Sequence, residues 1–162
     1  MAFNRINLIK LLNMLCNIFL LIFSTHAICQ TQASLQDERI NVMKKYVKLL
    51  GEGDYHAIPK LFVEKGYVVS STGAVDESHH FYKTLLTKTI SMPQSKFINI
   101  FVGKMNENMM ASYFDYSWEN IHGNRVAAKF LDLFIFEDKS SKIKRIFIFS
   151  NTFKAEIMKQ LE

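Results

Sequence analysis

The sequence predicts an α+β domain in which three helices pack on one face of a curved antiparallel sheet. Its 162 residues suffice for one domain of ordinary size, and 49% of them are apolar, which provides a core. Apolar residues recur at helical intervals in the first half of the chain and alternate with period two after Pro93. Helices followed by a run of strands are typical of an α+β domain.

Residues 1–29 have the plan of a secretory signal peptide, with a basic start, an apolar stretch and small residues after it. We expect cleavage between residues 27 and 33, and export of the mature protein to the periplasm or the medium. The alternative is a retained membrane anchor, because the apolar stretch nearly reaches spanning length. Both cysteines, Cys16 and Cys29, lie in this leader, so we expect no disulfide and no cysteine site in the mature domain.

Residues 34–162 form the single domain that the sequence predicts. Pro59 is awkward inside a helix, so the second helix is expected to begin late enough to hold it in the first turn. The expected helices cover Ser34–Leu50, a short segment from Asp54 that buries Ile58, Leu61 and Phe62, Glu77–Thr89, and a tail at Lys154–Leu161. The expected strands are Tyr67–Ser71, Phe97–Val102, Met110–Trp118, Val126–Phe136 and Ile143–Phe149.

Two stretches of the chain carry residues that are typical of one superfamily. The stretches are Tyr46-Val47 through Gly53-Asp54 with Ala57-Ile58, Leu61-Phe62 and Gly73, and Phe130 through Asp138 with Lys142-Ile143. They resemble the nuclear transport factor 2-like superfamily, which includes SnoaL-like polyketide cyclases and ketosteroid isomerases. The resemblance covers nearly all of residues 37–153. It implies a cone-shaped roll whose sheet curls around the three helices and leaves a pocket at its open end.

Tyr46 and Asp132 are the candidate catalytic residues. Ketosteroid isomerases stabilise an oxyanion with a tyrosine of the first helix and an acid of the penultimate strand, and the resemblance places Tyr46 and Asp132 there. The alternation of the strand agrees, since Phe130, Asp132 and Phe134 share one face. A carboxyl between two phenyl rings should find a donor or be protonated. The alternatives are a core tyrosine and a structural acid.

The general base of the ketosteroid isomerases is an Asp on the first strand, and Ser70 stands at that position. Serine does not accept a proton at neutral pH without help, so whether the chain is an enzyme stays open. His80 lies on the third helix, which in this superfamily can border the pocket mouth, and a pairing of His80 with Asp132 also stays open. The candidate ligand-binding residues are Ser70, Phe130, Phe134, Phe62 and His80.

The expected partners are inferred from the net charge and from one aromatic face of a predicted strand. The net charge of +5 is modest and scattered, so we expect no nucleic acid. We expect no cofactor and no metal, since the adjacent His79 and His80 point apart on a helix. Phe114, Tyr116 and Trp118 alternate onto one face, which is either core or a dimer surface. Sheets of the resembled superfamily commonly pair back to back, so we expect a homodimer through the sheet face.

Two hypotheses about function result. In the first, the chain is an exported SnoaL-like domain that binds a small apolar ligand in the cone pocket, with or without weak isomerase- or cyclase-like acid–base chemistry. In the second, it is a non-catalytic periplasmic interaction or assembly module whose cavity is filled by Phe and Met side chains. Under the second hypothesis, the protein contacts a membrane only if the N-terminal leader is retained.

Overall fold

The computed structural model describes residues 34–120 and 122–150, except for the side chains of residues 90–92. The predicted leader with its two cysteines and the predicted tail helix lie outside these residues and stay predictions. The elements below belong to the unit Asp37–Glu162, except that residues 34–36 precede it. Within the described residues, no helix combines the length and the apolar character that a membrane span requires.

The described residues form two α-helices, one short 3-10 helix and six strands. Within the described residues, helix α1 covers 34–52, and the 3-10 helix is Ile58–Leu61. The remaining elements are β1 (Phe62–Val69), β2 (Val75–Glu77), α2 (Ser78–Lys88), β3 (Thr89–Val102), β4 (Met109–Asn120), β5 (Arg125–Phe136) and β6 (Ile143–Ser150).

All six strands belong to one curved sheet in the order β2-β1-β6-β5-β4-β3, which is not closed. The predicted α+β class is confirmed. Four of the five strand pairs are antiparallel as predicted, but β1 pairs with β6 in parallel, so the sheet is mixed. This pair joins the first strand to the last, and the alternation within a strand does not specify its direction relative to a distant partner.

Several predicted boundaries differ from the structure. The second predicted helix is only a 3-10 turn, because Pro59 lies at its start and Phe62 already belongs to β1. Ile58, Leu61 and Phe62 are nevertheless buried as expected. Strand β3 begins at Thr89, before Pro93, and its pairing with β4 is interrupted by bulges that tolerate the proline. The three-residue β2 was not predicted.

The inner face of the sheet follows the predicted alternation. On β5, Asp132, Phe134 and Phe136 are buried, while Leu131, which precedes Asp132 and faces the other way, is 39% exposed. On β4, Phe114 and Tyr116 are 1% and 4% exposed. These two side chains therefore lie in the core, and their face of the sheet is not the surface of a dimer. Helix α1 packs against them with buried side chains at helical spacing, namely Met43, Tyr46, Val47 and Leu50.

A buried arginine connects α1 to two turns of the sheet by hydrogen bonds. Arg39 is 3% exposed, and its guanidinium donates to the carbonyl oxygens of Ser140, Glu107 and Glu137 at 2.9, 2.9 and 3.0 Å. It also donates to Oδ1 of Asn108 at 2.9 Å. These acceptors lie in the β3–β4 and β5–β6 connections, so one side chain fixes both turns against the helix.

Candidate functional site

An internal cavity of about 290 Å³ lies between α1, α2 and the inner face of the sheet. Among the described residues, seven of the side chains that line it are aromatic, and they come from α1, α2, β4 and β5. The polar lining consists of Asp132 together with serines at the ends of β1 and β6. A second depression of about 1120 Å³ is larger, but it is open and lined by charged side chains such as Lys48 and Glu52. The smaller, less open and mostly apolar cavity is therefore the candidate site.

Asp132 and two tyrosines form a hydrogen-bonded chain in this cavity. Asp132 lies in the middle of β5 and is 1% exposed. The Tyr46 hydroxyl, on α1, donates to Oδ2 of Asp132 at 2.9 Å, and the Tyr82 hydroxyl, on α2, donates to that of Tyr46 at 3.1 Å. Oδ1 of Asp132 has no hydrogen-bond partner among the described residues. One carboxyl oxygen is therefore held by the protein and the other is left for a further group.

Burial controls the protonation of this chain. Desolvation raises the pKa of Asp132 from 3.8 to about 8, and the hydrogen bond from Tyr46 acts in the opposite direction. Burial also raises the pKa of Tyr46 well above its usual value, and the nearby Asp132 charge raises it further. Desolvation raises the pKa of Tyr82 as well. Near neutral pH, Asp132 is therefore mostly a neutral acid, and both tyrosines keep their protons.

Solved structures resemble this chain, although no family sequence model and no curated protein matches it. SalBIII, an epoxide hydrolase/cyclase-like enzyme of pyran ring formation in the polyether salinomycin, is 20% identical with a TM-score of 0.61, over 73% of this chain and 95% of its own. The phenazine biosynthesis-related protein PhzB2 from Pseudomonas aeruginosa is 20% identical with a TM-score of 0.62, over 76% and 81%. A protein named as a SnoaL-like polyketide cyclase, from Shewanella denitrificans, is 9% identical with a TM-score of 0.60, over 76% and 98%.

The chain has the nuclear transport factor 2-like fold. The resemblance expected from the sequence is thereby confirmed for the architecture. Similarity at this level of identity establishes the fold alone, because one fold carries many unrelated activities. The function of this member of the fold has to be argued from its cavity.

Within the nuclear transport factor 2-like fold, the predicted site residues separate into two groups. Tyr46, Asp132, Ser70 and Phe130 all line the cavity. Phe134 is fully buried behind Tyr46, with ring centroids 5.2 Å apart, and does not line it. The two catalytic candidates therefore meet in a direct hydrogen bond, whereas Phe134 supports Tyr46 from the core.

Phe62 and His80 also lie away from the cavity lining. Phe62 packs against the ring of Tyr82 at 6.1 Å. His80 is exposed, and its Nδ1 pairs with Asp76 at 2.5 Å. Phe81 and Tyr82 occupy the cavity side of α2, so the preceding His80 points elsewhere. The pairing of His80 with Asp132 that the sequence left open is not formed in the described structure.

Tyr82 lines the cavity and Ser112 is the strand neighbour of Asp132, and neither was predicted as a site residue from the sequence. Tyr82 shares a helical face with Phe81 and Leu85, and this spacing was the available signal. Ser112 is the register partner of Asp132 across β4–β5, is fully buried, and its Oγ has no partner among the described residues. Its alternation with Phe114 was sufficient to place it on the inner face.

The described residues contain no group of three His, Cys, Asp or Glu side chains that could hold a metal ion. Asp132 is the sole carboxylate of the described cavity lining, and its neighbours are tyrosines and apolar groups. The arrangement can bind an apolar molecule, donate or accept one proton at Asp132, and orient a polar group against Tyr46.

Proposed function

We propose that the chain is a small-molecule-binding protein whose apolar ligand lies in the cavity of the nuclear transport factor 2-like fold. The observation that carries this proposal is a buried carboxyl with one unpartnered oxygen at the wall of an otherwise apolar cavity. A buried polar atom without a partner is unfavourable, and a bound ligand group would satisfy it. The polar group of the ligand therefore lies at Asp132.

Any isomerase- or cyclase-like acid–base chemistry would use the carboxyl of Asp132. Ser70 lines the cavity where a ketosteroid isomerase has its base, and no second carboxylate or histidine belongs to the described lining. Near neutral pH the neutral acid form of Asp132 could donate a proton to a ligand, and only its ionised form could accept one, while the Tyr46 hydroxyl holds Oδ2. We propose binding as the primary function and this chemistry as an extension of it.

The empty space in the cavity favours ligand binding over the alternative of an assembly module. That alternative requires a cavity filled by Phe and Met side chains, whereas about 290 Å³ is empty here. Export of the protein is a further proposal, supported by the plan of its leader alone.

We also propose a homodimer through the outer face of the sheet. Leu131 lies there in register with Tyr113 and Phe149, on the neighbouring strands. Leu131 and Phe149 are 39% and 52% exposed, and the next row adds Leu133 and Phe147. A continuous apolar area of this kind supports association. The inner aromatic face, which the sequence analysis considered for this role, is occupied by the core.

A cavity-filling substitution tests the ligand-binding proposal. Leu85→Trp places a larger side chain in the cavity, so we expect it to weaken binding of the neutral lipophile N-phenylnaphthylamine by at least about tenfold. Fluorescence titration measures this affinity. Ile98→Trp is the matched control, because Ile98 is 42% exposed on β3 and lies outside the cavity lining. It should leave the affinity of the cavity unchanged. The proposal is contradicted if the wild-type protein does not bind the probe, or if both variants bind it as tightly as wild type does.

A further inference from the structure

We propose that the ligand carries a protonated amine, which forms an ion pair with Asp132 against the aromatic walls of the cavity. This inference rests on the proposed function and specifies the chemical class of the ligand. Asp132 lies at the cavity wall with Oδ2 bonded to Tyr46 and Oδ1 without a partner among the described residues. An ammonium group supplies both the hydrogen-bond donor and the positive charge that Oδ1 lacks.

The charge of the lining selects against anions. None of the described residues that line the cavity is a Lys, Arg or His. A carboxylate or phosphate ligand would therefore enter an apolar space without a counter-ion, which is strongly unfavourable. A protonated amine has a counter-ion in the cavity, since Asp132 is an acid and the only one in that lining.

The aromatic walls favour a cation with an apolar body. Tyr116 stacks on Trp118 with centroids 5.0 Å apart, and Phe114 stacks on Phe130 at 5.7 Å. These four rings form one side of the cavity, and α2 contributes the rings of Phe81 and Tyr82. Ring faces attract ammonium groups, and the attraction is stronger where water is excluded. The same rings bury the hydrocarbon part of the ligand.

Proton exchange at Asp132 gives the inference a distinctive signature. The titratable groups that face Asp132 are Tyr46 on α1 and Tyr82 on α2, and no cation faces it from the described lining. On β6 its register partner is Ile148. An entering ammonium pairs with the ionised carboxyl, so the proton that Asp132 holds in the free protein leaves to bulk water. A neutral hydrogen-bond acceptor would instead require that this proton stay.

Calorimetry with a matched pair of probes tests the inference on the wild-type protein. Naphthylmethylamine is a cation below its own pKa, and naphthylmethanol is a neutral molecule of nearly the same shape. Because burial raises the pKa of Asp132 to about 8, the amine should bind about tenfold more tightly for each unit that the pH rises toward that value. It should also release about one proton per molecule bound in this range. The alcohol should bind more weakly and release none.

The variant Asp132→Asn keeps the shape of the side chain and removes its charge. We expect it to lose at least about tenfold in affinity for the amine and to change less than about threefold for the alcohol. Asp115→Asn is the control, because Asp115 lies on the outward-facing side of β4, between Phe114 and Tyr116, which line the cavity. It should leave both affinities unchanged.

The outcomes separate this inference from the proposed function. Tighter binding of the alcohol, or an amine affinity that does not rise with pH, would overturn the inference and leave the ligand-binding proposal intact. Equal loss of both probes in Asp132→Asn, with the variant folded, would also overturn it. If neither probe nor the neutral lipophile binds the wild-type protein, both proposals are wrong.

Discussion

Replacing Asp132 by Asn should stabilise the protein at mildly alkaline pH. Burial raises the pKa of Asp132 from 3.8 to about 8, so the folded state binds this proton more tightly than the unfolded state does. The free energy of unfolding should therefore fall as the pH rises from the lower of these values to the higher. The full shift corresponds to on the order of 5 kcal/mol. Desolvation of the new amide offsets about 2 kcal/mol of this, which leaves a net gain of about 3 kcal/mol.

Urea unfolding of both proteins at about pH 6 and about pH 8 measures this difference. The wild-type protein should lose stability between the two conditions because of Asp132, and the variant should lack that loss. Asp115→Asn is the matched control, since its carboxyl belongs to the outer side of β4. We expect it to retain the pH dependence of the wild type. A pH dependence that is the same in Asp132→Asn as in wild type would mean that Asp132 is not the buried acid.

Replacing Arg39 by Ala should cause the largest loss of stability that the structure predicts outside the cavity. The guanidinium makes four hydrogen bonds to the β3–β4 and β5–β6 connections. Its removal breaks all four bonds and leaves a gap beside the buried ring of Phe136. Because hydrogen bonds to charged groups contribute about 1.5–3 kcal/mol each and are not additive, we expect a loss of about 4 kcal/mol.

Chemical denaturation of Arg39→Ala and Arg125→Ala compares a buried arginine with an exposed one. Arg125 lies at the exposed start of β5, so its replacement should change the free energy of unfolding by less than about 0.5 kcal/mol. Arg39→Lys should lose an intermediate amount, because an ammonium cannot reach four acceptors in the geometry of the guanidinium. Equal losses in the two alanine variants would show that the contacts of Arg39 do not hold the turns.

The inner face of the sheet could be predicted from the sequence because strand alternation is local. Asp132 stands between Phe130 and Phe134, and a strand with one buried face must turn all three inward. The same rule separates Phe114 from the outward-facing Asp115 on β4. This is why the carboxyl of the candidate site could be identified, and why it could be expected to need a donor.

The partners of these residues could not be predicted, because they depend on contacts between distant parts of the chain. Tyr82 is on a helix that the sequence predicts, but nothing local indicates that its hydroxyl reaches Tyr46. Arg39 would be expected at the surface of an amphipathic helix. Three of its four acceptors are backbone carbonyls, and all four lie about seventy to one hundred residues away. The parallel pairing of β1 with β6 is equally long-range.

The titration of Asp132 shows whether its carboxyl is buried in the cavity wall. Carbon-13 NMR of the labelled carboxyl, assigned with Asp132→Asn, reports its midpoint in the folded protein. We expect the pKa of Asp132 to be about 8 and Tyr46→Phe to move it higher, because the hydrogen bond from Tyr46 lowers it. A midpoint near 3.8, the value of an unperturbed carboxyl, would contradict the buried site and the proposals that depend on it.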